Sequence, residues 1–117
     1  MLSTTDYNRG DVVLVDFVYS DESGLKRRPV LLLTSDSYHS GRQEAISVAI
    51  TSNTARLLVG DTLMFDLQAA GLIDPSVVTG ILRTIKQAMI GSKLGTISHG
   101  DLAAVEVQVR RILGLAT

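Results

Sequence analysis

The chain has no cysteine and no tryptophan, and aromatic residues make up only 4% of its 117 positions. Without cysteine there is no disulfide and no thiolate to hold zinc, which fits a reducing cytosol. With so few aromatics, stacking on an aromatic platform does not dominate any contact with nucleic acid. No apolar run approaches the roughly 20 residues that a membrane span needs. The opening Met1-Leu2-Ser3-Thr4-Thr5-Asp6 has neither the basic nor the apolar region of a secretion signal. A cytoplasmic protein with no membrane partner is therefore expected. The formal net charge of −1 excludes a strongly basic nucleic-acid coat protein but leaves room for a local cationic groove. No His/Asp/Glu spacing resembles a metal site, and no phosphate-binding or dinucleotide glycine loop occurs. No metal and no cofactor are expected.

What is present is a core. Hydrophobic residues reach 45%, enough for one small domain over residues 1–117. Val12 to Val18 reads as a strand, Tyr19 to Lys26 as a loop, and Pro29 to Thr34 as a short strand buried on both faces. Ser35 to Gln43 reads as a loop or short helix. Ala45 to Thr51, Thr62 to Leu67 and Ser76 to Ile85 are further strands. Gly80 marks a bulge or bend in the last of them. Thr84 to Ile97 holds one or two more. The tail then changes period: Leu102, Val105, Val109, Ile112 and Leu113 keep helical spacing. Ser98 with Asp101 resembles a capping box, and Gly114 is a C-cap. The expected class is mainly β with a C-terminal helix (α+β), a twisted sheet or half-open barrel with the helix packed on it.

The stretch Lys26-Arg27-Arg28-Pro29-Val30-Leu31-Leu32-Leu33 runs three adjacent cations through a proline into an apolar segment. A proline is tolerated at the first residue of a strand and holds the residue before it extended. The cations are expected to project from the lip of a buried strand, where they suit an anion. Taken singly, the residues have ordinary readings. Arg28 is a solvated strand-end cation, Thr51 a strand threonine, Ser52 and Asn53 a turn, and Arg9 with Asp11 a local ion pair. His39 falls in a loop and His99 at a helix start, and neither stands in a motif.

Read in order, the pieces form a pattern. Arg9-Gly10-Asp11-Val12-Val13, Arg28-Pro29-Val30-Leu31, Ser35-Asp36, Ala49-Ile50-Thr51-Ser52, Arg83-Thr84-Ile85 and the closing helix resemble the MazF/PemK family of toxin endoribonucleases. These are the toxins of type II toxin–antitoxin modules. The resemblance implies a small SH3-like half-open barrel, shared with the gyrase-poisoning CcdB-like toxins. It implies metal-independent cleavage of single-stranded RNA, a homodimer, and a cognate antitoxin through which the complex binds DNA. It places the catalytic pair at Arg28 and Thr51, with RNA contacts from Arg9, Lys26, Arg27, Ser52, Asn53 and Arg83. Arg28 would stabilise phosphorane charge and Thr51 would orient the scissile phosphate. The alternative is a member of the same fold that binds RNA or protein and does not cut. One departure bears on this: where many relatives carry an acidic residue and a glutamine before the arginine, this chain has Gly80 and Ile81.

Overall fold

Alternation along the strands sets the architecture. In the computed structural model, which describes residues 7–18 and 24–116, β1 (Asp11–Val18) sends Val12 to one side of the sheet and Val13, Val15 and Phe17 to the other. All four are buried, so β1 is apolar on both faces and lies inside the sheet. It pairs antiparallel with β2 (Leu25–Leu32) and β6 (Ile90–Thr96). The short helix α1 (Asp36–Gly41) leads to β3 (Glu44–Thr51), and β4 (Thr62–Leu63) leads to β5 (Val77–Lys86). The order across the sheet is β4-β5-β3-β2-β1-β6. β4 and β6 stay unpaired to each other, so the barrel is half-open.

Helix α2 (His99–Leu113) closes one face. Ser98 caps it by accepting from the Asp101 amide at 3.1 Å, and Gly114 ends it in the left-handed conformation. The expected capping box forms only by half. The Asp101 carboxylate is buried and accepts instead from the amides of Phe65 and Asp66, at 2.9–3.2 Å. It thereby ties the segment before β5 to the helix. Leu102, Val105 and Val109 pack with Val12, Leu31, Val48 and Ile50, while Leu113 stays more than half exposed.

Three boundaries move. β2 begins at Leu25, four residues before Pro29, so the three cations stand inside a strand and point alternately to its two faces. Cross-strand pairing with β1 outweighs the ordinary cost of a proline in a strand. The long candidate Thr62 to Leu67 shrinks to a two-residue strand because Phe65 and Asp66 give their amides to Asp101 and not to a ladder. A 3₁₀ turn (Gln87–Met89) precedes β6. The expected Arg9–Asp11 pair does not form: Arg9 bonds Glu106 of α2, and Asp11 bonds Lys93 and Thr96. Residues 19–23 of the expected loop and the opening residues 1–6 lie outside the described residues. Among the described residues no helix is long and apolar enough to cross a membrane.

Candidate nucleic-acid interface

The site is made where two strands part. β2 and β3 pair only at Val30–Ala49, Leu31–Val48 and Leu32–Ser47. The next residue, Pro29, has no N–H to extend the ladder, although it keeps its place opposite Leu14 of β1. Beyond that point the strands part around a cleft of about 700 Å³. Continued by two residues, the β2–β3 register sets Arg28 opposite Thr51, on the face that carries Val30 and Ala49.

The far wall is β5, and it is bulged. Val48 pairs with Leu82 and Ile50 with Val78, so Thr79-Gly80-Ile81 stand opposite Ala49 alone. The Thr79 hydroxyl donates to the Ala49 carbonyl at 2.8 Å and holds the bulge shut. Gly80 fits there because a Cβ would meet the Gly60 Cα and the Val59 carbonyl oxygen, each at 3.1 Å. That contact is a physical reason for the departure noted in the sequence: a larger residue forces the 59–60 turn outward. Ile81 then turns into the cleft, 63% exposed.

Four expected residues, Arg28, Thr51, Ser52 and Arg83, line this one cleft. Among the described residues nothing pairs with the exposed Arg28 guanidinium. The Thr51 Oγ1 accepts from the Asn53 amide at 3.1 Å, which leaves its O–H free to donate outward. Arg83 lies over the Phe17 ring, 4.2 Å from its centroid, so its cation is held in place without a carboxylate.

The other expected residues lie elsewhere. Arg27 points to the opposite face and donates through Nε to Asp16 at 2.9 Å. Lys26 stands opposite Phe17, on the cleft's face but outside its lining. Asn53 accepts from the Ala55 amide as a turn residue. Arg9 lies beside α2. His39 is buried with its Nδ1 against the Tyr7 carbonyl and its Nε2 against the Thr34 hydroxyl, so both ring nitrogens are occupied in holding α1 to the sheet. His99 is outside the cleft.

Sequence reasoning missed Phe17, Ile73 and Asp74, which also line the cleft. A phenylalanine opposite a lysine and a 94% exposed isoleucine carry no motif. Only the structure shows that the segment before β5 folds back over β2 and β3.

The chain is thus a half-open β barrel with a two-arginine cleft on one face and a helix on the other. The chain belongs to the PemK-like, MazF-like toxins of type II toxin–antitoxin systems, whose family model matches residues 8–113. Solved structures agree on the fold. One is described as an endoribonuclease in complex with its cognate antitoxin from a Mycobacterial species: 18% identity over 95% of this chain and 98% of that one, TM-score 0.76. MazF from a MazE–MazF crystal of Deinococcus radiodurans gives TM-score 0.77 at 18% identity, over 94% and 98%. The Mycobacterium tuberculosis toxin MazF-mt6 gives 0.74 at 23% identity, over 92% and 99%. No curated protein matches the sequence at a significant level.

Proposed function

We propose that the chain is an endoribonuclease toxin that cuts single-stranded RNA in the cleft between β2, β3 and β5, without a metal. The observation that carries this is that Arg28 and Thr51 line one cleft, opposite each other where the β2–β3 register is continued, with a second arginine beside them. RNA supplies its own nucleophile. The 2′-oxygen attacks phosphorus, a phosphorane forms, and the bond to the 5′-oxygen breaks, giving a 2′,3′-cyclic phosphate and a 5′-hydroxyl. The largest demand is charge on the non-bridging oxygens. A preorganised donor aimed at such charge contributes about 3–4 kcal/mol. Arg28 offers a planar fork of such donors and stays protonated throughout. Thr51 donates to a phosphate oxygen and fixes the in-line geometry. Arg83 adds positive potential that draws the backbone in.

The partners follow from the same reading. An acidic antitoxin segment laid across the cleft covers Arg28 and Arg83 and competes with RNA; an antitoxin partner is supported by neighbours solved as an endoribonuclease with its cognate antitoxin and as MazE–MazF. A homodimer buries apolar surface that the monomer leaves open, such as Leu58 and Val59 at 60% and 97% exposure. The deciding experiment is cleavage of a mixed-sequence RNA in EDTA by the wild type, Arg28→Ala and Thr51→Ala. Cutting by the wild type alone is expected. Cutting that survives both substitutions overturns the site, and cutting abolished by EDTA overturns the metal-free mechanism.

A further inference from the structure

The proposed reaction needs a proton acceptor, because the 2′-hydroxyl must lose its proton as it attacks. Arginine does not serve, since it stays protonated. Both histidines are outside the lining. Among the described residues, every residue lining the cleft is aliphatic, aromatic, hydroxyl-bearing or an arginine, with one exception. That exception is Asp74.

We infer that Asp74 is the general base of this cleft, taking the proton from the 2′-hydroxyl. Three observations support it. First, Asp74 is placed at the right end. β5 begins at Val77, opposite Thr51, and Asp74 stands three residues before it. Second, its backbone is held while its carboxylate is not. The buried Ser76 donates its hydroxyl to the Asp74 carbonyl at 2.8 Å, and among the described residues no hydrogen bond or ion pair engages the Asp74 side chain. Third, the segment that carries it is fixed. A Cβ on Gly71, at φ 73°, would lie 2.1 Å from the Leu94 carbonyl oxygen, so the chain passes against β6 with no room to shift. Asp101 pins the same segment at Phe65 and Asp66. An unengaged carboxylate on a fixed wall of a cleft that two arginines also line is placed to accept a proton and not to pair.

The step balances. The 2′-O–H bond breaks as the carboxylate takes the proton, the 2′-oxygen bonds phosphorus, and the phosphorus–5′-oxygen bond breaks. The 5′-oxygen takes a proton from water, and Asp74 returns its own to solvent.

The inference rests on the cleft being a ribonuclease site, and the test separates the two. Single-turnover cleavage of a short RNA is measured against pH for wild type, Asp74→Asn and Asp74→Glu. Binding of the same strand with a 2′-deoxy substitution at the scissile nucleotide is measured alongside. The ionisable side chains lining the cleft with Asp74 are Arg28 and Arg83, which stay charged, so an acid limb in the profile reports the carboxylate. Asp74→Asn is expected to cut about 100- to 1,000-fold more slowly, to lose the acid limb, and to bind the deoxy strand as the wild type does. Asp74→Glu is expected to keep the limb at a reduced rate. A wild type that cuts and an Asp74→Asn variant with the same rate and profile overturn the inference alone. So does a rate loss matched by an equal loss of binding. A wild type that cuts nothing overturns the ribonuclease reading and this inference with it.

Discussion

Arg27 and Arg28 are neighbours in the chain and stand on opposite faces of one sheet. On the face under α2, Arg27 meets Asp16, its direct cross-strand partner, and Arg9 meets Glu106. On the open face, Arg28 has no carboxylate partner among the described residues, and Arg83 rests on the ring of Phe17. The two faces draw on the same strands and the same residue types. They differ, among the described residues, in whether a carboxylate pairs with the cation. A cation already neutralised across a strand gains little from a phosphate, because it must give up one anion to take another. A cation without a partner keeps its full field for a ligand. A run of three basic residues is thus two half-sites of different use.

The sharpest way to break this comparison is to truncate each arginine in turn. Arg28→Ala is expected to lower RNA cleavage by about 100- to 1,000-fold, the loss typical of one transition-state donor. Arg27→Ala should change the rate by less than about threefold and stability by less than about 1 kcal/mol, as for an exposed ion pair. Equal losses in the two variants would show that the run acts as one patch.

A second test asks whether the closed face supports the open one. Gly71→Ala puts a Cβ into the Leu94 carbonyl at a positive φ, which combines a left-handed penalty with overpacking. We expect a loss of about 2–4 kcal/mol in urea unfolding, and a drop in cleavage by the fraction that stays folded as well, because Leu72, Ile73 and Asp74 form one wall of the cleft. Stability lost with undiminished cleavage would show that the wall is dispensable.

Much of this was legible in the residues. The helix was marked by its period and by Ser98 and Gly114, which act locally and so leave a local trace. Gly80 announced a bulge for the same reason. Arg28, Thr51 and Arg83 were marked by their places in a motif order, and the structure brings them to one cleft. What was not legible is long-range. Nothing in Asp16 says that Arg27 will lie opposite, since the β1–β2 register is set by which apolar positions pair. Asp101 looks like a capping residue until the amides of Phe65 and Asp66 arrive from 36 and 35 positions away. Asp74 has no motif at all and enters the cleft only because that segment is folded back.

Thr51 gives a smaller and more selective probe. Thr51→Ser keeps the hydroxyl, whereas Thr51→Val keeps the shape and removes it. If the O–H positions the phosphate, the valine variant should cut roughly tenfold more slowly than the serine variant, with RNA affinity little changed. The valine variant also loses the acceptor for the Asn53 amide, an exposed bond that water replaces. Valine and serine variants of equal rate would confine Thr51 to a structural place and leave Arg28 as the sole member of the pair.

The smallest effect sharpens the comparison from the other side, where cations are already engaged. Glu44 begins β3 opposite Lys86 of β5. It accepts from Arg42 Nε at 2.9 Å and from Lys86 Nζ at 3.2 Å. The Arg42 bond first, and the Lys86 bond after it, hold the Glu44 carboxyl below the usual carboxylate range, and Arg42 is raised in return. A carboxyl lowered on folding stabilises the fold fully above its unfolded value. That contribution fades as pH falls through its folded value, where the native carboxylate takes up its proton. Wild type should therefore exceed Glu44→Gln in thermal midpoint at neutral pH, by a margin that closes on acidification and shrinks with salt. A margin independent of pH would mean that the pair contributes by packing, and that engaged and unpartnered cations on this protein differ less than their geometry indicates.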